Sequence, residues 1–184
     1  MKVNLSNYDQ RNLSYRQSIG ASHLKQLLWF ICSVLLVRNP LIPSSKFRKY
    51  VLVLFGAKIG IEPRIRPGVI VKFPWKLKMG DYVWLGENCW IDNLEAVTIG
   101  NHCCISQGAM ICTGNHDYKS PEFSLIAKPV ILEDGVWIGA RSVVCPGVTA
   151  AEQAVLSAGS VINSKMEANM VYQGNPAKAK RSRL

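Results

Sequence analysis

The chain has 184 residues, 48% of them hydrophobic and 18% charged, with a formal net charge of +10. That length holds one ordinary domain with a real core and not two, and the balance excludes a wholly disordered chain. The positive surplus favours acidic partners, from phosphorylated cofactors to nucleic acid or anionic membranes, without choosing among them.

The opening Met1–Gln10 is polar, which argues against a secretory h-region there. Leu27–Val37 is strongly apolar but about half the length of a membrane span, which predicts a buried or interfacial helix over His23–Val37. The cysteines Cys32, Cys89, Cys103, Cys104, Cys112 and Cys145 show no paired C-x-x-C spacing, so a reduced, cytosolic chain is the simpler expectation.

From residue 59 an aliphatic rhythm sets in with a step of six: Ile59 and Ile65, then Met79, Leu85, Ile91 and Val97, then Ile99, Ile105 and Ile111. After a break it resumes at Leu132, Ile138, Val144, Ala150, Leu156 and Ile162. Helical faces recur near 3.6 residues and strand faces at 2, so neither produces this step. A solenoid does: each hexad supplies a short strand and a corner, and three hexads close a triangular coil. A second inward site four residues on, beside the corner, should be small. Cys89, Cys103, Ala109, Ser142 and Ser160 fit it as buried packing groups. Gly60, Gly80, Gly86, Gly100 and Gly139 would suit corners whose backbone angles disfavour a side chain.

Between Ile111 and Leu132 the spacing is not a multiple of six, and Gly114–Pro121 is rich in turn formers. The chain must leave the coil there. A polar excursion from a rigid scaffold is a natural seat for chemistry, which makes His116 the candidate group. Imidazole, with a pKa near neutrality, can take up or give back a proton at ordinary pH. Of the other histidines, His102 sits in a corner where packing or surface exposure is the expected role, and His23 begins the predicted helix. With His23 outside the coils, a trihistidine metal site is poorly supported and no catalytic metal is expected.

Taken with Phe55–Gly60, Ile65–Gly68, Lys72–Lys76, Trp90–Asn93, Val97–Gly100, Cys104–Gly108, Cys112–Asp117, Glu133–Ile138 and Gly174–Ala177, the chain resembles the hexapeptide-repeat acyltransferases. Within them it is most similar to the colanic-acid biosynthesis acetyltransferases and the maltose and galactoside O-acetyltransferases. The likeness extends to Leu5–Asp9. It implies a mainly β fold, a left-handed parallel β-helix with an N-terminal helical cap and a short C-terminal tail. Residues 1–54 would form the arm and cap, residues 55–166 the coils with an excursion loop at about 113–130, and residues 167–184 a tail that folds back, in a single domain. The cap would bury its apolar side on the open end of the solenoid.

The resemblance further implies acetyl transfer from acetyl-coenzyme A to a sugar hydroxyl, in exopolysaccharide or other surface-polysaccharide biosynthesis, with His116 as general base. The acceptor would be a sugar or a lipid-linked saccharide, and the working unit a homotrimer with sites at subunit interfaces. Asp92 and Asn93 read either as a solvated corner or as acceptor contacts; Asp117 and Tyr118 are further candidates for the acceptor. Trp137, whose outward position asks for a ligand or a neighbouring subunit, would border a pantetheine tunnel with Gly139, Ala140 and Ala158. The Gly139–Ala140 turn would supply an oxyanion donor. Pro176 would lie near the adenine, and Lys165, Lys178 or Arg181 could pair with coenzyme A phosphates. Two stretches depart from the family: Asn163–Ala168, which puts the 3′-phosphate contact in question, and Thr149–Gln153, whose missing corner glycine suggests an altered coil.

The basic tail lacks the aromatic interleaving of a nucleic-acid arm, so no nucleic-acid partner is expected. A cytoplasmic place is expected, at the inner face of the membrane if the apolar helix makes peripheral contact. The competing reading is a non-catalytic β-helical scaffold or membrane-surface binding module.

Overall fold

The computed structural model describes residues 19–120 and 123–184. The resemblance at Leu5–Asp9 lies outside the described residues. The first element, α1 (His23–Cys32), starts at Ser22, whose hydroxyl accepts from the Lys25 N–H, and runs into a π-helical turn, Ser33–Val37. Helix α2 (Ser45–Leu54) starts in the same way at Ser44, which accepts from the Phe47 N–H. Each serine satisfies a donor that an uncapped helix would leave open.

From Lys58 the chain winds into a parallel β-solenoid with three sheets. The first stacks Lys58–Ile59, Leu77–Met79, Val97–Ile99, Val130–Leu132 and Thr149–Ala150. Five further strands form the third sheet: Ile70–Val71, Trp90–Asp92, Met110–Cys112, Val143–Val144 and Val161–Ile162. Between them the second runs Arg64–Ile65, Trp84–Leu85, Cys104–Ile105, Trp137–Ile138, Val155–Leu156 and Met170–Gly174, and Ala177–Ser182 then returns antiparallel. The tail thereby extends the second sheet.

The hexad aliphatics point inward. Ile65, Leu85, Ile105, Ile138 and Leu156 are paired coil on coil and completely buried. In the earlier coils the register advances by 20 residues, as from Ile65 to Leu85 to Ile105, and in the later ones by 18, as from Ile138 to Leu156. The extra residues sit where the third sheet turns into the first, at Phe73–Lys76 and Asn93–Ala96. For that reason Ile99, not Val97, lies beside Met79, while Val97 pairs with Leu77.

Three expectations change in detail. The second inward site does hold Cys89, Cys103, Ala109, Ser142 and Ser160, yet it also holds Val69, Val83, Val136 and Val148, so it admits a branched side chain. Gly60, Gly80, Gly86, Gly100 and Gly139 are not the residues with left-handed backbone; a Cβ on Gly139 would lie 2.5 Å from Ala158 N, so it is the next coil's approach that requires glycine. The left-handed corners fall elsewhere, and several carry side chains, among them His102, Arg141 and Gln153. Because Gln153 takes φ of 59°, the stretch Thr149–Gln153 stays in register without a corner glycine.

Burial raises the thiols of Cys89 and Cys103 to about 12 and about 11, and all six cysteines are free. Such thiols are packing groups rather than nucleophiles.

The outward residues differ by face. The first sheet presents Lys58, Lys78, Thr98, Ile131 and Thr149, which is largely polar. The second presents Trp84, Cys104 and Trp137 beyond Arg64, with Val155 in the same register but buried, and the third Ile70, Trp90, Met110, Val143 and Val161. Two faces of the prism are therefore apolar and one is wettable.

At the open end Trp29, Ser33 and Val37 are buried, four residues apart, and Trp29 Nε1 donates to Val71 O at 3.0 Å. The expectation that the helix buries its apolar side holds for this stripe and for Cys32 and Leu36 beside it. Leu24, Leu27, Leu28, Phe30, Ile31 and Leu35 remain exposed. No helix among the described residues is long and apolar enough to cross a membrane.

Candidate active site

His116 is carried by a hairpin that leaves the coil directly after the third sheet. Gly114–His116 pairs antiparallel with Leu125–Ala127. The exit is fixed by Thr113, fully buried, whose hydroxyl donates to Asp92 O at 3.1 Å and accepts from Glu95 N at 2.9 Å, while its carbonyl accepts from Lys128 N. The hairpin is thus clamped at both ends to the rigid scaffold.

The imidazole is half-buried and lies flat on the Phe123 ring, centroids 4.4 Å apart and planes 7° from parallel. Its Nδ1 lies 2.9 Å from the Phe123 carbonyl oxygen. A carbonyl oxygen only accepts, so Nδ1 carries the proton and Nε2 is the basic nitrogen. Phe123 makes this contact from a left-handed backbone, φ 49°, a conformation that costs an aromatic residue energy and marks a constrained site.

The predicted acceptor contacts separate. Asn93 is completely buried, and its amide accepts from Phe73 N at 2.9 Å and donates to Phe73 O at 2.7 Å. Neither reading of Asn93 fits, since it is neither a solvated corner nor a group with a polar end left for a sugar; it clamps the preceding coil. Asp92 lies beside Cys112 in register, one residue before the exit at Thr113. Lys72 Nζ stands 2.9 Å from the buried Asp92 Oδ1, an ion pair that compensates the charge of the carboxylate. Asp117 Oδ1 accepts from the Lys119 and Ser120 N–H groups at 3.1 and 3.3 Å, which makes it a turn former. Tyr118 is exposed.

A second feature lies one corner away, where the second sheet turns into the third. A cleft of about 580 Å³ is bordered by Trp137, Gly139, Ala140, Ala158 and Arg181, a size ordinary for a small-molecule site. Trp137 Nε1 donates to Ser106 Oγ at 2.9 Å, which fixes the indole as one wall. The Gly139 N–H is spent on Leu156 O at 2.7 Å, whereas the N–H groups of Gln107, Ala140 and Ala158 have no protein acceptor among the described residues. These donors come from consecutive coils and form a column along the cleft.

Lys165, Pro176 and Lys178 do not border this cleft. Lys165 pairs with Glu167 at 3.5 Å, and Pro176 and Lys178 lie exposed in the terminal hairpin. Sequence reasoning missed Ser106, Gln107, Ser157 and Arg183 as lining residues. Arg183 was the least accessible to it, because its guanidinium donates to Gly135 O and Gln153 O across the corner, a contact that only the returning strand creates. Of the predicted packing histidines, His102 stacks on Tyr82 at 5.1 Å. Among the described residues no cluster of His, Cys, Asp or Glu is arranged to hold a metal ion.

A hexad solenoid that ejects a histidine hairpin from one corner and lines another with backbone donors is the architecture of the hexapeptide-repeat transferases. No family model matches the chain. It is 38% identical over 166 residues, 90% of this chain and 91% of that protein, to the Escherichia coli protein named as the colanic acid biosynthesis acetyltransferase WcaF. A hexapeptide-repeat acetyltransferase of Vibrio cholerae, solved in complex with acetyl-coenzyme A, superposes with a TM-score of 0.74 at 25% identity, covering 95% of this chain and 90% of that one. The maltose O-acetyltransferase of Clostridium difficile shares the fold, with a TM-score of 0.79 at 20% identity over 91% of this chain and 96% of that one. The chain belongs to the hexapeptide-repeat acetyltransferases and within them to the family of WcaF; it is an acetyl-coenzyme A-dependent O-acetyltransferase.

Proposed function

We propose that the protein moves an acetyl group from acetyl-coenzyme A to a sugar hydroxyl in surface-polysaccharide biosynthesis, with His116 as general base. The observation that carries this reading is the tether of Nδ1 to the Phe123 carbonyl, which holds the ring in the tautomer a base requires. Nε2 takes the hydroxyl proton as the sugar oxygen attacks the thioester carbon. The tetrahedral oxyanion then collapses, the C–S bond breaks, and the imidazolium returns the proton to the departing thiolate, giving the O-acetyl sugar and coenzyme A.

The donor column supports a role for the cleft in holding the pantetheine arm, whose amides need partners where small residues permit close approach. Ala140 N–H, rather than that of Gly139, is the oxyanion donor in this reading. Arg181, exposed at the cleft, pairs with a coenzyme A phosphate. Arg181→Ala weakens coenzyme A binding by roughly three- to tenfold, read by titration calorimetry, with kcat at saturating donor unchanged; an unaltered Kd removes Arg181 from the site.

Asp92 is the acceptor contact in this reading: Lys72 Nζ, 2.9 Å from its buried oxygen, fixes a carboxylate that stays partly exposed on the coil from which the hairpin departs. Asp92→Asn raises the acceptor KM by roughly tenfold and leaves the KM for acetyl-coenzyme A alone. Equal changes in both would assign Asp92 to scaffolding instead. Tyr118, exposed just after His116 on the hairpin, is a weaker candidate for the acceptor.

The working unit is a homotrimer. In a closed threefold ring each prism touches two neighbours through different faces and leaves one to solvent, which matches two apolar faces and one polar face. The base and the donor cleft stand on different corners of one chain, so their meeting across a subunit boundary gives three equivalent sites. Residues 19–54 serve as the cap, 55–166 as the solenoid and 167–184 as the tail, and the rest of the arm expected over 1–54 lies outside the described residues. The acceptor is a lipid-linked saccharide handled at the inner face of the membrane, a reading supported by the exposed apolar side of α1. Release of free thiol from acetyl-coenzyme A with candidate sugars tests the activity, and absence of any coenzyme A binding overturns it.

A further inference from the structure

We infer that the outer side of α1 is a docking surface for an anionic lipid bilayer, with the helix lying in the plane of the headgroups. This deepens the membrane-face reading above and rests on it.

The helix is apolar on two opposite sides. One side, Trp29, Ser33 and Val37, is buried on the first coil. The other carries Leu24, Leu27, Leu28, Ile31 and Leu35, with Phe30 and Val34 at its border; Leu24 and Phe30 are 66% and 65% exposed. A helix apolar all round belongs in an apolar environment on every side, and the solenoid supplies only one. Its ten α-helical residues and five-residue π turn reach about 22 Å, short of the ~30 Å hydrocarbon core. Trp29 also ties the helix to the coil, so it lies on the bilayer rather than crossing it.

Charge selects the occupant. From residue 19 to residue 61 the sequence contains Lys25, Arg38, Lys46, Arg48, Lys49 and Lys58 and no aspartate or glutamate. Arg48 is buried and Lys46 lies 4.0 Å from Glu62, just beyond that stretch, while Arg38 and Lys58 are exposed around the cap. Two such caps brought face to face would repel, which disfavours a second copy. An anionic bilayer offers both the hydrocarbon that the leucines need and the negative surface that the cations complement.

The full chain is tested by cosedimentation with vesicles of phosphatidylcholine alone and of phosphatidylcholine mixed with phosphatidylglycerol. The protein should bind the anionic vesicles at low salt, bind the neutral ones more weakly, and lose part of the difference at high salt. The triple variant Leu28→Gln, Ile31→Gln, Leu35→Gln should bind anionic vesicles roughly ten- to a hundredfold more weakly, and should keep the parent's coenzyme A affinity and its transfer rate to a soluble sugar. The inference is overturned if the parent binds neither vesicle, if the triple variant binds as the parent does, or if the triple variant instead changes the oligomeric state in sedimentation. Because vesicle binding is read without any transfer, failure of the acetyltransferase reading leaves this outcome untouched, and the reverse also holds.

Discussion

His116→Ala lowers kcat for sugar acetylation by roughly 10² to 10⁴, while the Kd for coenzyme A and the melting temperature stay near those of the parent. The imidazole is half-buried on a hairpin outside the coil, so its loss leaves the aliphatic stack intact. On the proposed mechanism, what disappears is the group that removes the hydroxyl proton as attack proceeds. Without it a neutral alcohol must attack the thioester, and the barrier rises by the same factor for every acceptor. A positioning role would look different: it would raise KM for one substrate and leave kcat largely intact. His102→Ala is the internal control, since that ring stacks on Tyr82 in a surface corner and should cost less than twofold in rate. The measurement is free-thiol release at saturating donor and acceptor, with circular dichroism to verify the fold. A kcat within a few-fold of the parent would remove His116 from the proton transfer.

The hexad aliphatics made the solenoid legible because a six-residue step has so few physical solutions. What the step could not reveal was the length of each coil. The two residues added at Phe73–Lys76 and again at Asn93–Ala96 shift the register, and a count of sixes slides over them by accepting Val97 and Ile99 alike. The glycines were read at the right positions for the wrong reason, because the approach of a neighbouring coil is a three-dimensional fact while a left-handed corner is a local one.

The same distinction divides the candidate site. His116 was legible as the polar residue that breaks a repeat. Trp137, Gly139, Ala140, Ala158 and Arg181 were named through resemblance, and they do border one cleft. Ser106 and Gln107 join them from a coil 33 residues earlier in register, across the excursion, where no local pattern points. Asn93 shows the converse: its position after the last aliphatic of the hexad reads equally as a solvated corner or an acceptor contact, yet its amide is buried and pairs with both backbone groups of Phe73.

Arg48 was not legible in the sequence at all, and its replacement gives the largest expected loss of stability. In helix α2, among Lys46 and Lys49, it reads as one more solvated cation, but it is completely buried. Its guanidinium donates to Val37 O at 2.9 Å, to Asn39 O at 3.1 Å, to Ile65 O at 3.4 Å and to Ile42 O. Those carbonyls belong to the end of the π turn, the connector between the helices and the first coil, so a single side chain joins three segments. Burial lowers its pKa, and the like charge of Arg66 lowers it further; a guanidinium nevertheless stays protonated in a protein. Arg48→Met keeps most of the volume and removes every donor. The stranded carbonyls then carry a desolvation penalty that an apolar neighbour cannot offset, and the expected cost is about 3–5 kcal/mol. At ~2–4 °C per kcal/mol for a chain of this size the melting temperature falls by ~6–20 °C. Arg48→Lys should recover little of it, because one ammonium cannot reproduce the planar fork. The cap should also open before the solenoid, so amides of α1 lose hydrogen-exchange protection while those of the coils keep theirs. If Arg48→Met melts within about 1 kcal/mol of the parent, the guanidinium is a tolerated burial, and the cap is held by Trp29, Val37, Val51 and Leu52 alone.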